Sequence, residues 1–453
     1  MERSEKLLLR SSPSEDTTPE MGLVLGHALA LDCKKVVIGM DLMKSSPMMK
    51  NALVSGLISS GADVIDVGIV SGPALALAAK MGDCGVYITE FRQLDLVSGF
   101  LLFNNDGCLF SKEQIRHLNR IFEGTYKMPD YKALGSVREY YQSTNDYNSK
   151  ALSLIKEKAA GSIILNCNCG TASDSAPQIL NIIGADVISI NGQKDRNFIS
   201  DSLSTKEADT RHMKALVEAN AGSTGISINR IGTLLRVFDE SGTAMTDEQV
   251  LAILILYMKP AKVVVPMDMT AFIEDAFHGN IDVEISSPNP DPDAERTEFI
   301  YCRPELGSVR KAMLEHSADI GYYKGGFIFS QISLSPDAIF ASAQLALFSG
   351  SNNVKSVVES FPEYYSEKKS YKISCNHDDF IRMMDANLPE VSPTDITEDG
   401  CWRVQMTGGW FYVSFNKDSE DTIDVIAESN DRVYLVSLVE VIDGLMESCE
   451  SGQ

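Results

Sequence analysis

No stretch of this chain reaches the roughly 18 consecutive apolar residues that a membrane-spanning helix needs, so no span is expected. The first residues, Met1 to Arg10, mix two acids and three basic residues around a three-leucine run. They lack the apolar core and small-residue cleavage site of a secretory signal, which points to the cytoplasm. Basic residues are outnumbered: 40 Lys and Arg face 63 Asp and Glu, a formal net charge of −23. Such a field repels phosphate backbones and anionic bilayers, so neither nucleic acid nor membrane is an expected partner. The six histidines, His27, His117, His212, His278, His316 and His377, include no close pair, so each reads as a surface or packing residue. Nine cysteines are an odd, scattered set, which suits reduced and mostly buried thiols rather than a disulfide framework. Cys167 and Cys169 stand close together, but no second pair or nearby histidine completes a metal or redox site.

What is present is an ordinary globular composition, 44% hydrophobic and 23% charged. At 453 residues the chain exceeds what one hydrophobic core supports, so several domains are expected. Residues 36–39 form a short β-branched run; Ser46 and Pro47 then open a helical pattern over 48–60. Residues 63–68 are again extended, 73–80 helical, and 86–89 a third strand that ends in a loop at Thr89 to Asp95. A strand over 100–103 follows, then the turn Asn104-Asn105-Asp106-Gly107 and a helix capped by Ser111. The theme repeats: strands at 162–165, 186–190, 225–228 and 235–238 with a helix at 176–183. It repeats again from Thr246 and Gln249, a capping-box pair, through strands at 262–265 and 327–329, with a helix start at Ser335-Pro336. Alternating strands and helices predict parallel-rich α/β sheets. From about residue 371 the pattern changes to a smaller α+β unit, with strands at 410–413 and 423–427 and a last helix over 435–446.

Several of these blocks resemble the α-D-phosphohexomutase superfamily of phosphomannomutases, phosphoglucomutases and phosphoglucosamine mutases. Residues 36–79 are similar to a family segment containing SSPMLKNAL, TGADVIDVG and PALA, matched here by Ser45-Ser46-Pro47, Gly61-Ala62-Asp63 and Asp66-Val67-Gly68. Phe103, Asn104, Asp106 and Gly107 resemble LFNPDG, and residues 356–365 resemble the stretch ending in SFPKYY. The resemblance implies a four-domain architecture, three related mixed α/β domains plus a smaller α+β C-terminal domain around a central cleft. The domains are expected at 1–147, 148–245, 246–365 and 366–453.

The family chemistry passes a phosphoryl group from a phosphoserine to a hexose phosphate through a bisphosphate intermediate, with magnesium on three aspartates. The residues that carry it differ here. The serine of TASHNP falls on Phe91, flanked by Glu90 and Arg92, and phenylalanine accepts no phosphoryl group. The lysine of NGIK falls on Leu101. The magnesium loop DGDGDR aligns with Asn229, Arg230, Ile231, Gly232, Thr233 and Leu234, which offer no carboxylate; Asn229, Ile231 and Thr233 occupy the ligand positions. The sugar loop GEESGG becomes Gly321, Tyr322, Tyr323, Lys324, Gly325 and Gly326 without its glutamate. The phosphate cradle RPSGTEP becomes Ser414, Phe415, Asn416, Lys417, Asp418, Ser419 and Glu420, GTSGIRG is missing from residues 9–16, and GRDTR has become Gly39-Met40-Asp41-Leu42-Met43.

Lost nucleophile, metal ligands and phosphate cradle together lead to the expectation of a non-catalytic structural or regulatory partner. It would pair with an active mutase, or with itself, through the first domain, and need no cofactor. Phe91, Tyr322, Tyr323, Trp410 and Phe415 would ring the former cleft, either as an interface or as core. Glu90, Arg92 and Asp95 read as a charged loop facing solvent or a neighbouring chain rather than an acid-base group. The alternative is an active hexose-phosphate mutase or sugar-phosphate binder in which Lys324, Arg230 or Arg92 contacts phosphate, with magnesium as its cofactor.

Overall fold

The computed structural model describes residues 18–93, 95–122, 130–158, 161–197, 206–277, 285–286, 297–372, 379–380, 382, 396–398, 400–416 and 422–451. The first sheet holds β1 (Lys35–Met40), β2 (Asp63–Ile69), β3 (Cys84–Gln93), β4 (Asp95–Asn104) and β5 (Val137–Glu139) in the order β4-β3-β1-β2-β5. β1 pairs in parallel with β2 and β3, β2 in parallel with β5, and β4 closes the edge antiparallel to β3. In β1 every residue after Lys35 is buried, the continuous apolar run that an interior parallel strand requires.

The second sheet, β6 (Ser162–Asn166), β7 (Asp186–Ile190), β8 (Ser223–Ile228) and β9 (Leu235–Phe238), runs β9-β8-β6-β7. The third, β10 (Lys262–Pro266), β11 (Glu298–Cys302), β12 (Ile320–Tyr323) and β13 (Gly326–Phe329), runs β13-β12-β10-β11. Each therefore repeats the strand order of the first: two strands flank the founding strand in parallel and a final antiparallel hairpin forms one edge. Even the isolated bridge after each hairpin recurs, at Phe103 with Leu109, Phe238 with Ala244 and Ile328 with Pro336. The fourth sheet is antiparallel, in the order β14 (Tyr365–Lys372), β18 (Thr422–Ser429), β17 (Gly409–Phe415), β16 (Cys401–Met406), β15 (Ile396–Glu398). The C-terminal helix Arg432–Ser451 covers it, burying Leu435, Leu438, Val439, Ile442 and Met446.

Local signals set most of the helices: α1 (Pro19–Asp32), α2 (Ser46–Ser59), α3 (Gly72–Ala78), α4 (Lys112–Phe122), α5 (Ser143–Ser153), α6 (Ala176–Ile182), α7 (Lys206–Ala219), α8 (Asp247–Met258), α9 (Phe272–Phe277), α10 (Leu306–His316), α11 (Ala338–Ser351) and α12 (Val354–Glu359). The capping box at Thr246 and Gln249 forms as the sequence predicts. Ser111 and Gln114 do the same for α4, each side chain serving the other's backbone N–H. Two starts shift. Ser46 lies inside α2, whose cap position is Ser45. α11 begins at Ala338, capped by Asp337, because Pro336 is still bridged in extended form to Ile328. The boundaries expected at 147 and 365 both meet continuous elements, since α5 spans the first and β14 begins at the second; α5 packs on α3 and α6 and links two units. One hydrophobic core runs unbroken through the first three units, from Val37 and Tyr87 through Ile163 and Ile226 to Phe340 and Phe361, while Trp402, Phe411 and Val425 belong to a separate core under the fourth sheet.

Candidate active site at three equivalent hairpins

The three loops singled out by sequence occupy the same topological position, the turn between the third and fourth strands of each repeated unit. In the first unit no loop exists between Thr89 and Asp95 of the kind the sequence suggested. The ladder continues through Thr89 opposite Gly99, Phe91 opposite Val97 and Gln93 opposite Asp95. Thr89, Phe91 and Val97 favour extended backbone, and no glycine, proline or asparagine interrupts residues 89–98, so pairing extends to the tip. Leu94 and the side chains of Phe91 and Arg92 lie outside the described residues. Leu101, at the lysine position, is buried opposite Tyr87 and belongs to the core.

The second hairpin, residues 229–234, is closed by its own side chain. Asn229 Oδ1 accepts the backbone N–H of Thr233 at 2.8 Å and of Leu234 at 3.1 Å, while Asn229 Nδ2 donates to Thr233 Oγ1 at 3.0 Å. Three successive carbonyls then accept N–H groups from the starts of helices in three different units. Thr171 N donates to Arg230 O at 2.7 Å, Gly72 N to Ile231 O at 2.7 Å and Ala338 N to Gly232 O at 3.1 Å. Glycine at 72 allows this close approach, since a Cβ would stand 2.9 Å from Thr233 Cγ2 and 3.3 Å from Ile231 O. The hairpin is a keystone between units. It does not fit magnesium: the Asn229 oxygen is already spent on two N–H groups, these carbonyls are engaged, and no carboxylate is present. Among the described residues no group of three or more His, Cys, Asp or Glu stands in a metal-binding arrangement.

Arg230 is half-buried, and its Nη2 donates to Asp195 O at 3.2 Å. Its charge also acts on Cys169, whose thiol burial pushes up against that pull; the Cys167 thiol is raised by burial to about 12. Both cysteines are packed in the interior.

The third hairpin turns on Lys324 and Gly325, with φ of 44° and 77°, a primed two-residue turn. Lys324 is exposed and reaches over the Tyr323 ring, 5.5 Å from its centroid. The sequence left open whether aromatics line a cleft or fill it. Tyr322 and Trp410 fill it, while Tyr323 and Phe415 are half-buried: Tyr322 lies against Phe327, with its hydroxyl accepting Gly325 N at 3.2 Å. Trp410 is buried with Nε1 donating to Glu428 Oε2 at 2.6 Å, and Phe415 packs on Phe380 and Trp402. At the phosphate-cradle position, Asn416 is held by Thr422 O and Asp424; residues 417–420 lie outside the described residues.

Sequence reasoning passed over a polar group at the switch point of the first sheet, where β1 ends beside Ile88 of the longer β3. Asp41 Oδ2 accepts Thr89 Oγ1 at 2.7 Å, and its Oδ1 accepts Ser46 Oγ and Met43 N, all three side chains being buried. A hydroxyl on a carboxylate is how oxygen nucleophiles are activated, but here the carboxylate is shared among several donors and fastens the strand ends. Asp41 is the aspartate retained from GRDTR, a signal that was available in the sequence. Tyr87 lies beside it, its hydroxyl donating to Val70 O at 2.9 Å and its pKa raised well above the usual value, chiefly by burial.

The family model for Phosphoglucomutase/phosphomannomutase, alpha/beta/alpha domain I, matches residues 9–128. A "Probable phosphoglucosamine mutase" of Methanocella arvoryzae is 28% identical over 437 residues, 95% of each chain. The phosphoglucosamine mutase of Methanococcus aeolicus is 26% identical over 460 residues, 96% of this chain and 97% of its own. A solved phosphoglucomutase/phosphomannomutase family protein from Burkholderia thailandensis superposes with a TM-score of 0.77 at 17% identity, over 98% of this chain and 96% of that one. The chain belongs to the α-D-phosphohexomutase superfamily. Its likeness to named mutases runs the length of both chains, and that finding overturns the expectation that this phosphohexomutase relative is a non-catalytic structural or regulatory partner. No helix among the described residues is long and apolar enough to cross a membrane.

Proposed function

We propose that this chain is a hexose-phosphate mutase, an intramolecular phosphotransferase of carbohydrate metabolism, acting on an aminohexose phosphate with residues at the family loops other than the family's own. The observation that carries this reading is the end-to-end similarity to proteins named phosphoglucosamine mutase, 95% of each chain for one of them. A mutase of this kind must hold a sugar carrying phosphate at two positions, which calls for cations at separate places. Arg230, Lys324 and Arg92 sit one to each equivalent hairpin and are the proposed phosphate contacts, with Phe91 and Leu101 in the serine and lysine positions. A guanidinium offers a planar fork to phosphate oxygens, and a lysine a mobile point charge. Magnesium, which the family implies, has no donor set at residues 229–234.

The test is 31P NMR of glucosamine 6-phosphate with the purified protein and a catalytic amount of the 1,6-bisphosphate. Growth of the 1-phosphate resonance is the expected result, and Arg230→Ala should lower kcat/KM about tenfold to a hundredfold, the worth of one charge-assisted hydrogen bond. A resonance pattern no different from a protein-free control sinks the reading.

A further inference from the structure

The three equivalent sheets differ at one edge. In the first, the outer edge of β2 is closed by β5, which pairs with it in parallel from Val64 opposite Val137 to Asp66 opposite Glu139. β7 takes the place of β2 in the second sheet and β11 takes it in the third, and among the described residues no strand pairs with the outer edge of either. The side chains of β11 are nevertheless covered. Tyr301 lies against the Arg403 guanidinium, Phe299 against Phe277, and no residue after Glu298 is exposed. In β7, by contrast, Asp186, Ile188 and Ser189 are exposed, Ile188 at 38%, and Val187 and Ile190 are only half-buried.

Backbone pairing leaves this strand four groups to give. Asp186 N donates to Gly161 O at 3.0 Å and Ile190 O accepts Cys167 N at 3.2 Å, so in this parallel ladder residues 186, 188 and 190 turn their backbone toward β6. The N–H and C=O of Val187 and Ser189 therefore point outward. An open edge of this kind accepts another strand unless charge, proline or a bulge guards it. β5 carries Arg138 and Glu139, and β14 carries Lys368, Lys369 and Lys372. From Ser175 to Gln193 the one charged residue is Asp186. Val187, Ile188, Ser189 and Ile190 then run in unbroken register with no proline and three β-branched side chains, a segment suited to pairing rather than to exposure.

We propose that β7 pairs antiparallel with β7 of a second copy of this chain, about a two-fold axis at Ile188. In that register Val187 exchanges both backbone bonds with Ser189 of the second copy, and Ser189 does so with its Val187, so all four outward groups are used. Ile188 meets its own copy as the non-hydrogen-bonded pair, where side chains approach most closely. A register centred on Val187 would instead set Ser189 opposite Ala185, whose N–H is spent on Leu180 O. A second copy fits this edge because it brings an equally uncharged strand, whereas a basic peptide would find only Asp186 to neutralise. The two Asp186 carboxylates fall four residues apart along the shared ladder, about 13 Å, which exceeds the screening length of about 10 Å at 0.1 M salt. The product is one continuous eight-stranded sheet. β9 and the 229–234 hairpin stand at its two far ends, so the joint lies clear of Arg230 and forms whether or not the chain turns over a sugar phosphate.

Five residues of edge are small beside the roughly 1,600 Å² of a standard interface, so the expected dimer dissociates at micromolar concentration. The test is sedimentation velocity of the full chain over roughly 1–300 µM, which brackets that range. The wild type should pass from monomer to dimer. Ile188→Lys, an exposed change that sets two ammonium groups at the axis, should stay monomeric with an unchanged thermal midpoint. Ile188→Cys gives a second readout, because Cα atoms about 4.5–5.5 Å apart lie within disulfide reach. Oxidised glutathione should lock this variant into dimers on a non-reducing gel, whereas Val433→Cys, an exposed control on the C-terminal helix, should remain monomeric. A monomer at every concentration overturns the proposal, and so does a dimer that survives Ile188→Lys or that Ile188→Cys fails to lock.

Discussion

Asn229 shows how one side chain settles what a loop can do. Its Oδ1 closes the hairpin through Thr233 N and Leu234 N, so Asn229→Ala leaves two N–H groups without their acceptor. We expect a loss of about 1–3 kcal/mol in urea unfolding, with the midpoint indifferent to added magnesium. Asp337 makes a pH-dependent contribution. It is fully buried at the start of α11, accepts Tyr147 Oη at 2.8 and 2.9 Å and Phe340 N at 2.9 Å, and burial raises its pKa from 3.8 to about 7. Between those values the folded protein binds the proton more tightly than the unfolded chain, so this group's contribution to stability falls as pH rises from about 4 to 7. Unfolding midpoints at the two ends of that window should differ less in Asp337→Asn than in the wild type; an identical slope removes Asp337 as the cause. Little of this was legible beforehand. The absence of carboxylates at residues 229–234 was, because it concerns residue types. The use of the 230, 231 and 232 carbonyls was not, because backbone acceptors look alike in any sequence.

At the level of elements, the close crossing of α1 and α2 depends on glycine. A Cβ on Gly56 would stand 2.1 Å from Leu23 O, and one on Gly26 2.5 Å from Leu53 O, so the two backbones touch. Gly56→Ala must push the helices apart and should cost about 3 kcal/mol, at the upper end for overpacking; a thermal midpoint equal to that of the wild type would contradict the contact. Thr246→Ala, which removes one half of the capping box on α8, should cost about 1 kcal/mol. These helices were visible in sequence because caps and apolar spacing act within a few residues. The hairpin of β3 and β4 was misread as a loop for the converse reason: a change of chemistry at a family motif says nothing of backbone form, and Thr89, Phe91 and Val97 are good strand formers.

For the whole molecule, the fourth sheet is joined to the third unit by Arg403, buried between Trp410 and Tyr301 with two carbonyls of the 266–269 turn as its acceptors. Arg403→Leu keeps the volume roughly but orphans both carbonyls, and should cost about 3 kcal/mol or more. Calorimetry should then resolve a separate, earlier unfolding step for the fourth sheet, whereas a single unshifted transition would show that the joint lies elsewhere. Though it left β11, β12 and β14 to β16 unread, by itself the sequence determined many of the strands and helices, the α/β theme of the first three units and the absence of carboxylates from residues 229–234. All of these follow from residue type and spacing over short stretches. Only the tertiary structure decided that three helix starts meet three successive carbonyls, that Tyr322 and Trp410 are buried, and that Arg403 ties the fourth sheet to the 266–269 turn. Those arrangements join residues tens to more than a hundred positions apart, and such contacts are fixed by packing between units, to which local propensity is blind.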